Sequence, residues 1–64
     1  MDKWIEVHEV LPVLDAVIVA RTANEFGFGY ACEVYEFDSK MFTQVDAAMC
    51  LINDGFVSWL ELPK

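Results

Sequence analysis

The chain has little positive charge. Its 64 residues hold four bases, Lys3, Arg21, Lys40 and Lys64, against eleven acids, for a formal net charge of -7. Four scattered cations cannot neutralise a run of phosphates, so direct binding to nucleic acid is excluded. Histidine is nearly absent: His8 stands alone. The two cysteines, Cys32 and Cys50, lie far apart and form no C-x-x-C pair. Structural zinc sites draw ligands from close pairs, so no metal site is expected, and a Cys-His catalytic pair would depend on one imidazole. No long hydrophobic run occurs either. The apolar stretch 10–20 is broken by Pro12 and Asp15 and is too short to span a bilayer. With no signal peptide apparent, the expected compartment is the cytoplasm, with reduced thiols acting as small apolar side chains, although an even count leaves one disulfide open. The P-loop, the dinucleotide fingerprint and a Ser-His-Asp arrangement are all missing. No cofactor is expected.

What is present is apolar bulk. Residues of the apolar class make up 56%, with five Phe, two Tyr and two Trp. A chain of this length buries only about 60% of the surface it exposes when unfolded, so it reads as a single domain, 1–64, whose two ends both contribute core. The excess can also leave apolar surface over, which predicts a homodimer, with Phe28, Tyr30, Tyr35 and Phe37 at its interface if one sheet face stays uncovered.

Residues 4–7 alternate, with Ile5 and Val7 on one side and Trp4 and Glu6 on the other, as in a short strand. Residues 16–23 form a near-continuous β-prone run that suits a central strand buried on both faces. Asn24 to Gly27 supplies a turn, and 28–37 returns as the partner strand. Gly27 and Gly29 mark a bulge or sharp twist near its start. Cys32 and Val34 point one way, and Ala31, Glu33, Tyr35 and Phe37 the other. Met41 to Thr43 reads as the start of a further strand. Thr43 and Asp46 match a capping box, and Val45, Ala48, Met49 and Ile52 recur at helical spacing. Gly55 offers a left-handed stop before a last strand at 56–62. The fold class is α+β: a small antiparallel β-sheet of four to five strands with one short α-helix packed on it. Trp4 and Trp59 should lie in adjacent or facing terminal strands, both largely buried.

The ends carry a pattern. Trp4-Ile5-x-Val7-x-x-x-Leu11-Pro12 and Trp59-Leu60-x-Leu62-Pro63 resemble the opening W-I-x-V-x-x-x-L-P and the closing motif of a family of small phage and prophage proteins. That family is known as domain of unknown function five-five-one. Its members continue the opening with a glycine turn and a V-L-V strand; here Asp15 takes the turn, and Ile18-Val19-Ala20 resembles the strand. Near the end Ser58 stands where the family often has His, and Glu61 replaces a Pro. The resemblance implies a phage or prophage setting and a small β-rich fold, and no activity.

Glu33, Glu36 and Asp38 cluster beside Tyr35 and Phe37. As paired carboxylates they have little room for a substrate pocket in so short a chain. As a strand edge they resist aggregation. As an acid–aromatic patch, Glu33, Tyr35, Glu36, Phe37 and Asp38 are the candidate residues for meeting basic groups on a partner. The composition thus points to a non-enzymatic acidic binding protein that modulates or inhibits a host protein with a basic site in the bacterial cytoplasm. Nucleic-acid mimicry against a defence or DNA-processing enzyme is a narrower form, which requires most of the acids on one face. The alternative class is a small-ligand sponge or minor enzyme with its pocket at an oligomer interface, for which Arg21 is the sole arginine.

Overall fold

Thr43 stops one segment and starts the next. In the computed structural model, which describes residues 3–23 and 29–63, its backbone is extended and its hydroxyl accepts from the Asp46 amide at 3.1 Å. The Asp46 carboxylate in turn accepts from the Thr43 amide at 3.2 Å. This reciprocal box satisfies two of the amides that a helix start leaves unpaired. Helix α1 then runs Gln44–Asn53 and is closed by Gly55, whose N–H donates to the Ile52 carbonyl and whose φ of 89° turns the chain out of the helix.

Four strands accompany the helix: β1 (Ile5–Glu6), β2 (Val17–Thr22), β3 (Cys32–Glu36) and β4 (Phe56–Glu61). They form one antiparallel sheet in the order β1-β4-β2-β3. The predicted α+β architecture is therefore present, with four strands. Met41 to Thr43 is not a strand: a turn anchored by Asp38 delivers the chain straight into the helix cap. The turn expected at 24–27 lies outside the described residues.

The registers assign every side chain to a face. On one face lie Ile18 and Ala20 of β2, Glu33 and Tyr35 of β3, and Trp59 of β4, with Ile5 of β1 beside it. A bulge between Arg21 and Thr22 brings Phe56 onto this same face, opposite Thr22. The helix packs here, through Ala47, Ala48 and Leu51. This helical face differs from the predicted one, because Val45 and Met49 are exposed. Positions 44, 47, 48 and 51 satisfy helical spacing as well as 45, 48, 49 and 52, and the two sets differ by one residue, a rotation of about 100°. The sheet selects the set with two alanines, whose small side chains permit close approach.

The opposite face has no helix. Val17, Val19 and Arg21 of β2 lie there beside Cys32, Val34 and Glu36 of β3 and Ser58 and Leu60 of β4. β2 is thus central but covered on one side only, contrary to the two-sided burial its sequence suggests: Val17 and Val34 are exposed. Arg21 closes one end of this face, its guanidinium 4.3 Å from the ring centres of both Trp4 and Tyr30. Each such stack contributes roughly 0.5–1 kcal/mol at an exposed site.

The two tryptophans therefore play different parts. Trp59 is 3% exposed, paired to Ile5 on one side and Ala20 on the other, and its indole N–H donates to the Val10 carbonyl at 3.0 Å. Trp4 is half-buried on the other face, under Arg21. The terminal strands β1 and β4 are adjacent as expected, but Trp4 precedes β1 rather than lying in it, and the expectation of two buried rings holds for Trp59 alone.

Trp59→Ala removes a core ring and orphans a carbonyl. Core Trp→Ala changes cost about 3–5 kcal/mol, close to a small domain's whole margin. Urea unfolding followed by circular dichroism should show this variant largely unfolded, with Trp59→Phe intermediate and Trp4→Ala much milder.

Candidate functional site

Strand β3 and the loop after it carry the predicted residues, and the sheet separates them. Glu33 and Tyr35 share the helix-side face, Glu36 lies on the open face, and Asp38 sits in the following loop. Phe37 belongs elsewhere. It is 3% exposed, stacked on Tyr35 at 5.4 Å and edge-on to Phe42 at 5.2 Å. Its place as a partner-binding residue is corrected: it is core, and it holds Tyr35 in position. Its proposed place at a dimer interface goes with it. Tyr35 is half-buried, Tyr30 is exposed, and Phe28 lies outside the described residues.

Tyr35 is the hinge between acids from two elements. Its hydroxyl lies 3.3 Å from Glu33 Oε2 and 3.3 Å from Asp54 Oδ2. One phenolic proton serves two carboxylates. Partial burial, then the Asp54 and Glu33 charges and their hydrogen bonds, push the phenol up to about 12. Asp54 is also the helix C-cap, and the last turn holds no basic residue. A helix C-terminus is itself partly negative, so Asp54 and Glu33 reinforce an uncompensated negative spot.

A second acidic spot lies beyond the end of β3. An open cavity of about 550 Å³ is lined by Asp15, Glu36, Asp38, Ser39 and Lys40, three carboxylates with one ammonium. Asp15, which sequence reasoning placed in a turn and not in a site, organises it. Its backbone has φ 60°, a left-handed conformation that Asp tolerates better than most residues. Its amide donates to the Phe37 carbonyl at 2.8 Å, and its Oδ1 accepts from the Ser39 amide at 2.9 Å. Hydrogen bonding by the Ser39 side chain, and then by its amide, holds the Asp15 carboxyl below its usual range. Asp38 accepts from the Lys40 amide at 2.8 Å, which fixes the loop's other wall.

The remaining candidates are dispersed. Cys32 is exposed and Cys50 half-buried, and both are free thiols, so the expected burial fails for Cys32. His8 is exposed. Among the described residues no three His, Cys, Asp or Glu side chains gather in a set that could hold a metal, and no helix is long and apolar enough to cross a membrane. The arrangement can therefore recognise cations, by charge and by carboxylate hydrogen bonding, at two spots flanking one strand. No known protein family, curated protein or solved structure matches this chain.

Two titrations follow from this geometry. In a Tyr30→Phe background the remaining described phenol should ionise near pH 12, and Asp54→Asn should lower that value, read from phenolate absorbance. The folded state holds this proton more tightly than the unfolded chain, whose phenol titrates near pH 10, so stability should fall between about pH 10 and 12. The sign reverses for Asp15. Its stabilising contribution is present above about pH 4 and is lost as pH falls through the lowered folded-state value. Asp15→Ala should lower the melting temperature more than Asp15→Asn, which keeps both the acceptor and the tolerance for positive φ.

Proposed function

We propose that this protein is a non-enzymatic binding protein that docks on a basic site of another protein and modulates or inhibits it. The observation that carries this reading is the pair of acidic spots flanking β3, Glu33 with Asp54 and Glu36 with Asp15 and Asp38. Both are open to solvent, and the cavity sets three carboxylates against one ammonium. In the phage or prophage setting that the terminal motifs imply, the partner is a host protein.

The distribution of charge supports a local docking site over nucleic-acid mimicry. Mimicry needs phosphate-like carboxylates arrayed on one face. Glu6 and Glu36 lie on the open face and Glu33 and Glu61 on the helix side, while Asp46 and Asp54 mark opposite ends of the helix. The catalytic alternative has less support. The cavity is open and acidic, and its lining places no imidazole beside the Ser39 hydroxyl to activate it.

The test is affinity capture from bacterial lysate with three baits: the wild type, Glu33→Gln/Glu36→Gln/Asp38→Asn, and a distant control, Glu9→Gln. A stoichiometric partner held by the first and third baits, lost by the second and released by salt, is the expected outcome. Capture that is indifferent to these carboxylates would sink the proposal. So would a large saturable thermal stabilisation by a nucleotide or metal, which would promote the small-ligand class instead.

A further inference from the structure

Among the described residues no strand pairs with the outer edge of β3. Thr22 N–H donates to the Ala31 carbonyl at 3.0 Å, and the β2–β3 register continues without a shift through Ala20↔Glu33 and Ile18↔Tyr35. In an antiparallel ladder, alternate residues bond to the neighbour and those between point away. The backbone N–H and C=O groups of Cys32, Val34 and Glu36 therefore face outward, where β3 ends the sheet. Val34, in the middle, is 64% exposed.

Protein edges of this kind are usually blunted by proline, a bulge or charged side chains, lysine above all. β3 has no proline, bulge or lysine, and its protection against self-pairing is acidic. Its only charges are Glu33 and Glu36, one on each face. Both acidic spots lie along the same edge: Glu33 and Asp54 on the helix side, and Glu36 with its cavity on the open side. A strand added here would place successive side chains on alternate faces. Adjacent basic residues would then meet one spot each, while an apolar residue would cover Val34.

We infer that β3 is a docking edge for an extended basic segment of a partner protein, which adds to the sheet as a fifth strand, antiparallel or parallel to β3. This deepens the acidic docking reading and rests on it. Charge selects the occupant. A second copy would bring its own Glu33 and Glu36 and a further net charge of -7 to the same edge, whereas a basic strand would neutralise the carboxylates as its backbone satisfies the free groups.

The experiment titrates the full chain with a short, blocked synthetic peptide of arginine and valine. Amide exchange at Cys32, Val34 and Glu36 is followed by NMR, together with sedimentation of the free protein. Binding should be saturable and salt-sensitive and should slow exchange at those three amides. Val34→Pro removes an outward N–H without touching the β2 ladder, since edge positions facing solvent tolerate proline. It should weaken binding about tenfold or more. The same peptide N-methylated on alternate residues leaves the protein unchanged and should also fail to bind, which covers the case of a poorly folded proline variant. If binding survives Val34→Pro and N-methylation but is lost in Glu33→Gln/Glu36→Gln, strand addition is overturned and the acidic reading stands. If the unmodified peptide does not bind, strand addition is overturned while capture of a partner still decides the broader reading. If the free protein sediments as a dimer that Val34→Pro dissociates, the occupant is a second copy and the inference is wrong.

Discussion

Trp59 ties the molecule together. It sits in β4, which lies between β1 and β2, so its backbone is flanked on both sides by other strands. Its ring fills the layer between sheet and helix, and its indole N–H reaches the Val10 carbonyl. That one bond spans most of the sequence and fixes the 7–16 loop over the core. Pro12 is buried in the same loop, and its carbonyl accepts from the Gln44 side chain at 3.1 Å. Terminal strand, connecting loop and helix start are thereby held to a common layer. A chain this short has one core, and these links all converge on it.

The consequence of having a single helix is asymmetry. Among the described residues one face of the sheet is closed by Ala47, Ala48 and Leu51, while on the other Arg21 lies between Trp4 and Tyr30 and Val17 and Val34 stay exposed. Small side chains on the helix let it approach the sheet. The outermost strand, β3, keeps one row of aromatic contacts on the helix side, from Phe56 through Tyr35 and Phe37 to Phe42. The same strand leaves Val34 and its backbone to solvent. Stability and accessibility thus come from opposite sides of β3.

The acidic spot at Tyr35 has a structural cost that a purely stabilising design would avoid. Asp54 and Glu33 gather at a helix end that already carries partial negative charge. Such concentrations of like charge are weakly destabilising and are relieved by a cationic partner. This is the physical ground for reading β3 and its flanks as a recognition surface.

Local chemistry was legible in the residues themselves. The capping box at Thr43 and Asp46, the stop at Gly55 and the alternation of Glu33, Val34 and Tyr35 depend on side chains near in sequence, and each took the form its spacing implied. The acid–aromatic cluster was likewise visible, although Phe37 proved to be core because stacking on Tyr35 and Phe42 draws it inward. Tertiary structure alone decided three matters: which apolar phase of the helix faced the sheet, which side of β2 was left without a helix, and that Asp15 and Asp54 would join the carboxylates of β3. Each rests on contacts between residues distant in sequence. Periodicity constrains one element at a time, and it holds no information about which neighbour arrives to cover it.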